Sequence, residues 1–100
     1  MLPAPGEGPS PQAQARGFYD LRFFGETVDG RSIRTKVTGD RDPGYGSTAR
    51  MLGQAGACLA LDIAKADRAG GFWTPSLVFG DRLLDRLTTH AGLTFEVIDR

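Results

Sequence analysis

One hundred residues suffice for one domain with a modest core, burying about 60–70% of the unfolded surface. Lysine plus arginine equals aspartate plus glutamate, so the net charge is zero, which argues against a nucleic-acid binder with a basic stripe and against an anionic-membrane binder. No apolar run reaches the length of a membrane span, the N-terminus lacks the charged start and apolar centre of a signal peptide, and the lone Cys58 excludes an internal disulfide and fits a reducing cytoplasm.

Residues 1–16 contain Pro3, Pro5, Pro9 and Pro11, several small residues and no aromatic. Such a segment buries too little apolar surface to order itself, so it reads as a disordered linker or tail. Residues 17–100 then form the domain. Over 17–27, Tyr19, Leu21 and Phe23 alternate with Asp20 and Arg22, the period of a half-buried strand. Over 31–38, Ile33, Thr35 and Val37 alternate with Ser32, Arg34 and Lys36 in the same way. Asp29-Gly30 between them signals a hairpin. A two-residue loop would pair Val28 with Arg31 and put the two apolar stripes on opposite faces. A three-residue loop pairs Thr27 with Arg31 and sets Leu21 by Val37 and Phe23 by Thr35. A one-residue slip flips every side chain, so the apolar pattern selects the longer loop, with Gly30 left-handed in a bulge.

The stretch 39–52 then opens the central helix, expected over about 47–64. Gly44 and Gly46 let the chain turn, and Ser47 suits the N-cap. Met51, Leu52, Ala55, Cys58, Leu59 and Ile63 recur at helical spacing. Ala49, Gly53, Ala57, Ala60 and Ala64 make another side of small residues, and polar side chains are few. Such a helix is normally buried on more than one side, here expected against the sheet and a second helix. Gly53 and Gly56 each cost about 1 kcal/mol relative to alanine, which close approach of another backbone would offset.

A glycine-ended loop over 65–71 leads to Thr74-Pro75, an N-cap and first helical residue. Leu77, Leu83, Leu84, Leu87 and Ala91 form the apolar side of the second helix, with Asp81, Arg82, Asp85 and Arg86 facing water. Gly92 should end it in left-handed geometry. A third strand follows over 93–98. The expected class is α+β, order β-β-α-α-β, a small mostly antiparallel sheet with two helices packed on one face.

The chemistry-bearing motifs are weak. Gly44-Tyr45-Gly46-Ser47-Thr48-Ala49 fits the dinucleotide fingerprint, but three residues separate the strand from the first glycine and the helix does not lead to a parallel strand. It reads as a chance match, although first-turn amides near Arg41 and Arg50 could hold an anion. Asp40-x-Asp42 fails the calcium-loop template, because Gly44 and Met51 stand where ligands are needed. No Cys, His and acid set has metal-ligand spacing. His90 suits a helix C-terminus rather than catalysis, Cys58 a buried thiol, and Trp73 a core anchor.

Two blocks carry a resemblance. Residues 37–52, from Val37-Thr38-Gly39 through Gly44-Tyr45-Gly46 to Met51-Leu52, form one; Gly70-Gly71-Phe72-Trp73-Thr74-Pro75 with Gly80-Asp81, Leu83 and Arg86-Leu87 forms the other. Together they resemble the C-terminal end of saccharopine dehydrogenase-like oxidoreductases, including trans-acting enoyl reductases. The resemblance implies an N-terminal Rossmann domain, outside this chain, that binds NAD(P), and a C-terminal domain on the substrate side that supports a homodimer. It implies that this chain binds no cofactor, holds no catalytic residue and is inactive alone. Arg41, Tyr45 and Arg50 are the candidates for lining a substrate or domain interface. The competing class is a free-standing interaction domain that dimerises through the central helix or the outer strand face.

Overall fold

The computed structural model describes residues 4–99. Met1 to Pro3, the first residues of the expected tail, and Arg100 lie outside the described residues. The elements are α1 (Pro11–Arg16), β1 (Tyr19–Glu26), β2 (Ser32–Gly39), α2 (Gly46–Leu61), a 3-10 turn (Lys65–Asp67), α3 (Pro75–Phe79), α4 (Asp81–His90) and β3 (Leu93–Asp99). The fold is α+β, with β2 at the centre of a three-stranded, fully antiparallel sheet.

The hairpin takes the longer loop. Leu21 pairs with Val37 and Phe23 with Thr35. The Thr27 amide donates to the Arg31 carbonyl at 2.8 Å, and Gly30 sits at φ 87°. Matching the apolar stripes outweighs the shorter connection, as the pattern requires. The outer face carries the ion pairs Arg22–Asp20, Lys36–Glu96 and Arg34–Asp99. The last pair sits beside an irregularity where Arg34 meets Asp99 although Thr35 meets Val97.

The second helix is broken. Gly80, at φ 57° and ψ −140°, separates α3 from α4. Pro75 is the first residue of α3, but the Thr74 side chain makes no capping bond. Gly92 takes φ 71°, as a left-handed helix exit demands. Arg82 is exposed as expected, but Arg86 is half-buried instead of facing water. Asp62 leaves an acid beside carbonyl ends at the close of α2, and these two cations turn toward it.

Two small clusters form the core. Cys58, Val78 and Phe79 pack with Ala55, Ile63 and Leu83; Leu87, Ala91 and Leu93 pack with Val37, Met51 and Leu83. Helix α2 lies mainly on α4, and α4 rather than α2 lies on β3. Nothing approaches Gly53 or Gly56, so no neighbouring backbone in this chain offsets their cost in the helix. Leu52 remains 74% exposed.

The segment read as a tail contains the short helix α1. Ser10 caps it by accepting from the Ala13 amide at 3.1 Å, and Pro11 opens it. Its Gln14 carbonyl then accepts from the Asp42 amide at 3.1 Å, fastening α1 to the loop before α2.

Candidate functional site

The turn between β2 and α2 is built around Asp42. Its carboxylate accepts from the amides of Gly44 at 3.1 Å, Tyr45 at 3.0 Å and Gly46 at 2.7 Å. Its carbonyl accepts from the Ser47 amide at 2.8 Å. These bonds, the Gly46 amide foremost, hold the Asp42 carboxyl below the usual aspartate range, against the opposing effect of partial burial. The first-turn donors that an external anion would need are thus taken by the chain's own carboxylate. Gly44 and Gly46 serve the turn: a side chain at Gly46 would press on Arg41 and Asp42.

Ser47 is therefore not the cap. It is fully buried inside the first turn, and its Oγ lies 2.8 Å from Tyr19 Oη, with either hydroxyl able to donate. The Tyr19 ring lies over Gly39, its cross-strand partner, where any Cβ would collide with it. Tyr19, Gly39 and Ser47 thus lock the sheet end to the start of α2. Asp42 was legible in principle, since aspartate readily accepts from amides two to four residues on.

The three candidate lining residues share this corner. Arg41 is half-buried, and its Nε is buried with no hydrogen-bond partner. Tyr45 is exposed at the helix start, its ring against Gly8. Arg50 is exposed on the second turn of α2. The turn and helix start place them near one another in sequence and on one corner of the domain; no bond joins them.

Beside the corner, an apolar groove of about 370 Å³ is lined by Tyr19, Leu21, Pro43, Met51, Leu84 and Phe95. A second hollow, of about 780 Å³, lies where the end of α2 meets α3. Leu59, Ile63, Val78 and Phe79 line it, and Trp73 walls it while donating from Nε1 to the Ala69 carbonyl at 2.9 Å. Trp73 is thus a partly exposed wall rather than a core anchor.

Between α2 and α4, Arg86 forks onto Asp62 and reaches Gln54 Oε1 at 3.2 Å, while Arg82 donates to the Asp62 carbonyl. The Arg86 hydrogen bond holds the Asp62 carboxyl down. Burial, and then Asp62 nearby, push the Cys58 thiol up, so it is no ready nucleophile. His90 is exposed at the end of α4.

The chain matches trans-acting enoyl reductases. It is 38% identical over 96 residues to a Mycobacterium tuberculosis protein of that name, 40% over 87 residues to one from Mycobacterium bovis, and 38% over 87 residues to one from Mycobacterium ulcerans. These alignments cover 87–96% of the chain but only 21–23% of the relatives, so the chain spans about a fifth of their length. No protein-family model matches it, and no solved structure matches it. Among the described residues no helix is long and apolar enough to cross a membrane.

Proposed function

We propose that this chain is the C-terminal, substrate-side domain of an NAD(P)-dependent oxidoreductase of the trans-acting enoyl reductase, saccharopine dehydrogenase-like kind, working in the cytoplasm as a homodimer. The near-complete match to about a fifth of each relative carries this reading. In it, NAD(P) sits in an N-terminal Rossmann domain, and this chain supplies neither cofactor site nor catalytic group. The Asp42 turn supports that division, because the chain's own carboxylate takes the amides a phosphate would use. Arg41, Tyr45 and Arg50 line the side facing substrate or the nucleotide domain. The partnerless Arg41 Nε supports this role, since buried donors rarely stay unpaired.

A second reading, a free-standing dimerisation module, draws on the bare face of α2 around Leu52 and Gly56. NADPH titration separates the two. The enzyme reading expects no binding by the chain and saturable binding by the larger protein encoded with it. NADPH binding by the chain alone would contradict it. In that larger protein, Arg41→Ala and Arg50→Ala should raise KM for the enoyl substrate and leave NADPH affinity unchanged.

A further inference from the structure

The hollow at the close of α2 differs from the groove beside Tyr19 in its charge. The groove is lined by uncharged side chains. The hollow, of about 780 Å³, has apolar walls and two cations, Lys65 and Arg68, and no acid lines it. Its volume falls within the range of about 300–1,000 Å³ usual for small-molecule sites, which combine apolar walls with a few placed polar groups.

The chain builds both parts locally. Val78 and Phe79 belong to the buried cluster around Cys58, with Ile63 packed against it, so the floor is part of the domain's own core. Trp73 stands as a wall, fixed by its bond to the Ala69 carbonyl. The turn over Lys65–Asp67 and the loop that follows bring the cations to this floor. A Cβ at Gly70 or Gly71 would meet no atom within 4 Å, so these two residues leave the hollow open.

Arg68 is held in place. It is half-buried, its Nε donates to the Val78 carbonyl at 3.2 Å, and its Nη1 donates to the Asp67 carbonyl at 2.8 Å. Both acceptors are neutral, and Nη2 makes no hydrogen bond among the described residues. Among those residues no carboxylate pairs with Arg68 or Lys65. The acids nearest in sequence do not intervene: Asp62 is forked by Arg86, and Asp67 does not line the hollow. A guanidinium with neutral partners attracts an anion, and a planar carboxylate matches its geometry. Its two backbone bonds leave it little side-chain freedom to lose on binding.

We propose that this hollow binds a small amphipathic carboxylate. The apolar body lies on Ile63, Val78, Phe79 and Trp73. The carboxylate accepts from Arg68 Nη2, and Lys65 adds a second positive charge. The site lies at the opposite end of α2 from Arg41, Tyr45 and Arg50, and it does not depend on the enzyme reading.

Decanoate, kept below its micellar concentration, tests this by isothermal titration into the intact natural polypeptide. Saturable binding at one site is expected. Decanol has the same tail without the charge and should bind about tenfold more weakly, the loss expected for one charge-assisted contact. Arg68→Gln should weaken decanoate by about the same factor. Because Arg68 also fastens α3, the exposed Lys65 supplies a second variant: Lys65→Gln should weaken decanoate several-fold and leave the melting temperature unchanged. Decanoate carrying a diazirine on its tail should label residues 59–79. Absence of saturable binding, equal affinity for decanol and decanoate, an affinity unmoved by both substitutions, or labelling confined to other segments each overturns the proposal. All four outcomes leave the NADPH test of the enzyme reading unaffected.

Discussion

The two ends of the sheet are built on opposite principles. At the Tyr19–Gly39–Leu93 end, a ring covers a glycine, a buried hydroxyl pair ties strand to helix, and α4 closes the core. At the Phe23–Ile33–Val97 end, the same alternation of apolar residues is left about half exposed. Identical patterning therefore yields a folding core at one end and a half-exposed apolar face at the other. What differs is the helix laid over it, not the strand.

The sharpest way to break that comparison is a pair of truncations. Leu87→Ala should cost the chain about 2–5 kcal/mol in urea unfolding, as buried leucines do. Leu21→Ala should stay within about 0.5 kcal/mol in the same chain, as for surface sites. Equal costs in the chain alone would erase the distinction. Next, Gly39→Ala should cost about 1–3 kcal/mol by driving a methyl group into the Tyr19 ring, read as a lowered melting temperature. Its counterpart at the open end, Gly25→Ala, meets only the Ile33 side chain and should cost less. Ser47→Ala removes the buried partner of Tyr19 and should cost about 1 kcal/mol.

The smallest effect is confined to acid. Asp42 and Asp62 titrate lower in the fold than in the unfolded chain, so their contribution is fully present above about pH 4. It is lost as pH falls through the lowered folded values. Asp42→Asn should weaken the fold at neutral pH and flatten this acid-side decline, measurable by pH-dependent thermal melts.

The hairpin register was legible because a wrong slip would split two apolar stripes, a cost visible in the letters alone. The helix breaks and ends were less so. Gly80 could have been an ordinary interior glycine, and only its positive φ makes it the break between α3 and α4. Ser47 matched the N-cap preference, yet Asp42 reached three amides first and left the serine to Tyr19, a partner 28 residues away. The turn to Asp62 by Arg82 and Arg86 depends on how α2 and α4 cross, which periodicity does not encode. The Arg41, Tyr45 and Arg50 corner was locatable as a turn and helix start. The unpaired Arg41 Nε emerges only from three-dimensional packing.

The central claim is that this chain is one domain of a larger polypeptide, and the intact mass of the natural gene product tests it most directly. Antibodies to this domain should capture from source cells a protein about four times its length, as the coverage of the relatives implies. A natural product of 10.7 kDa would contradict the account.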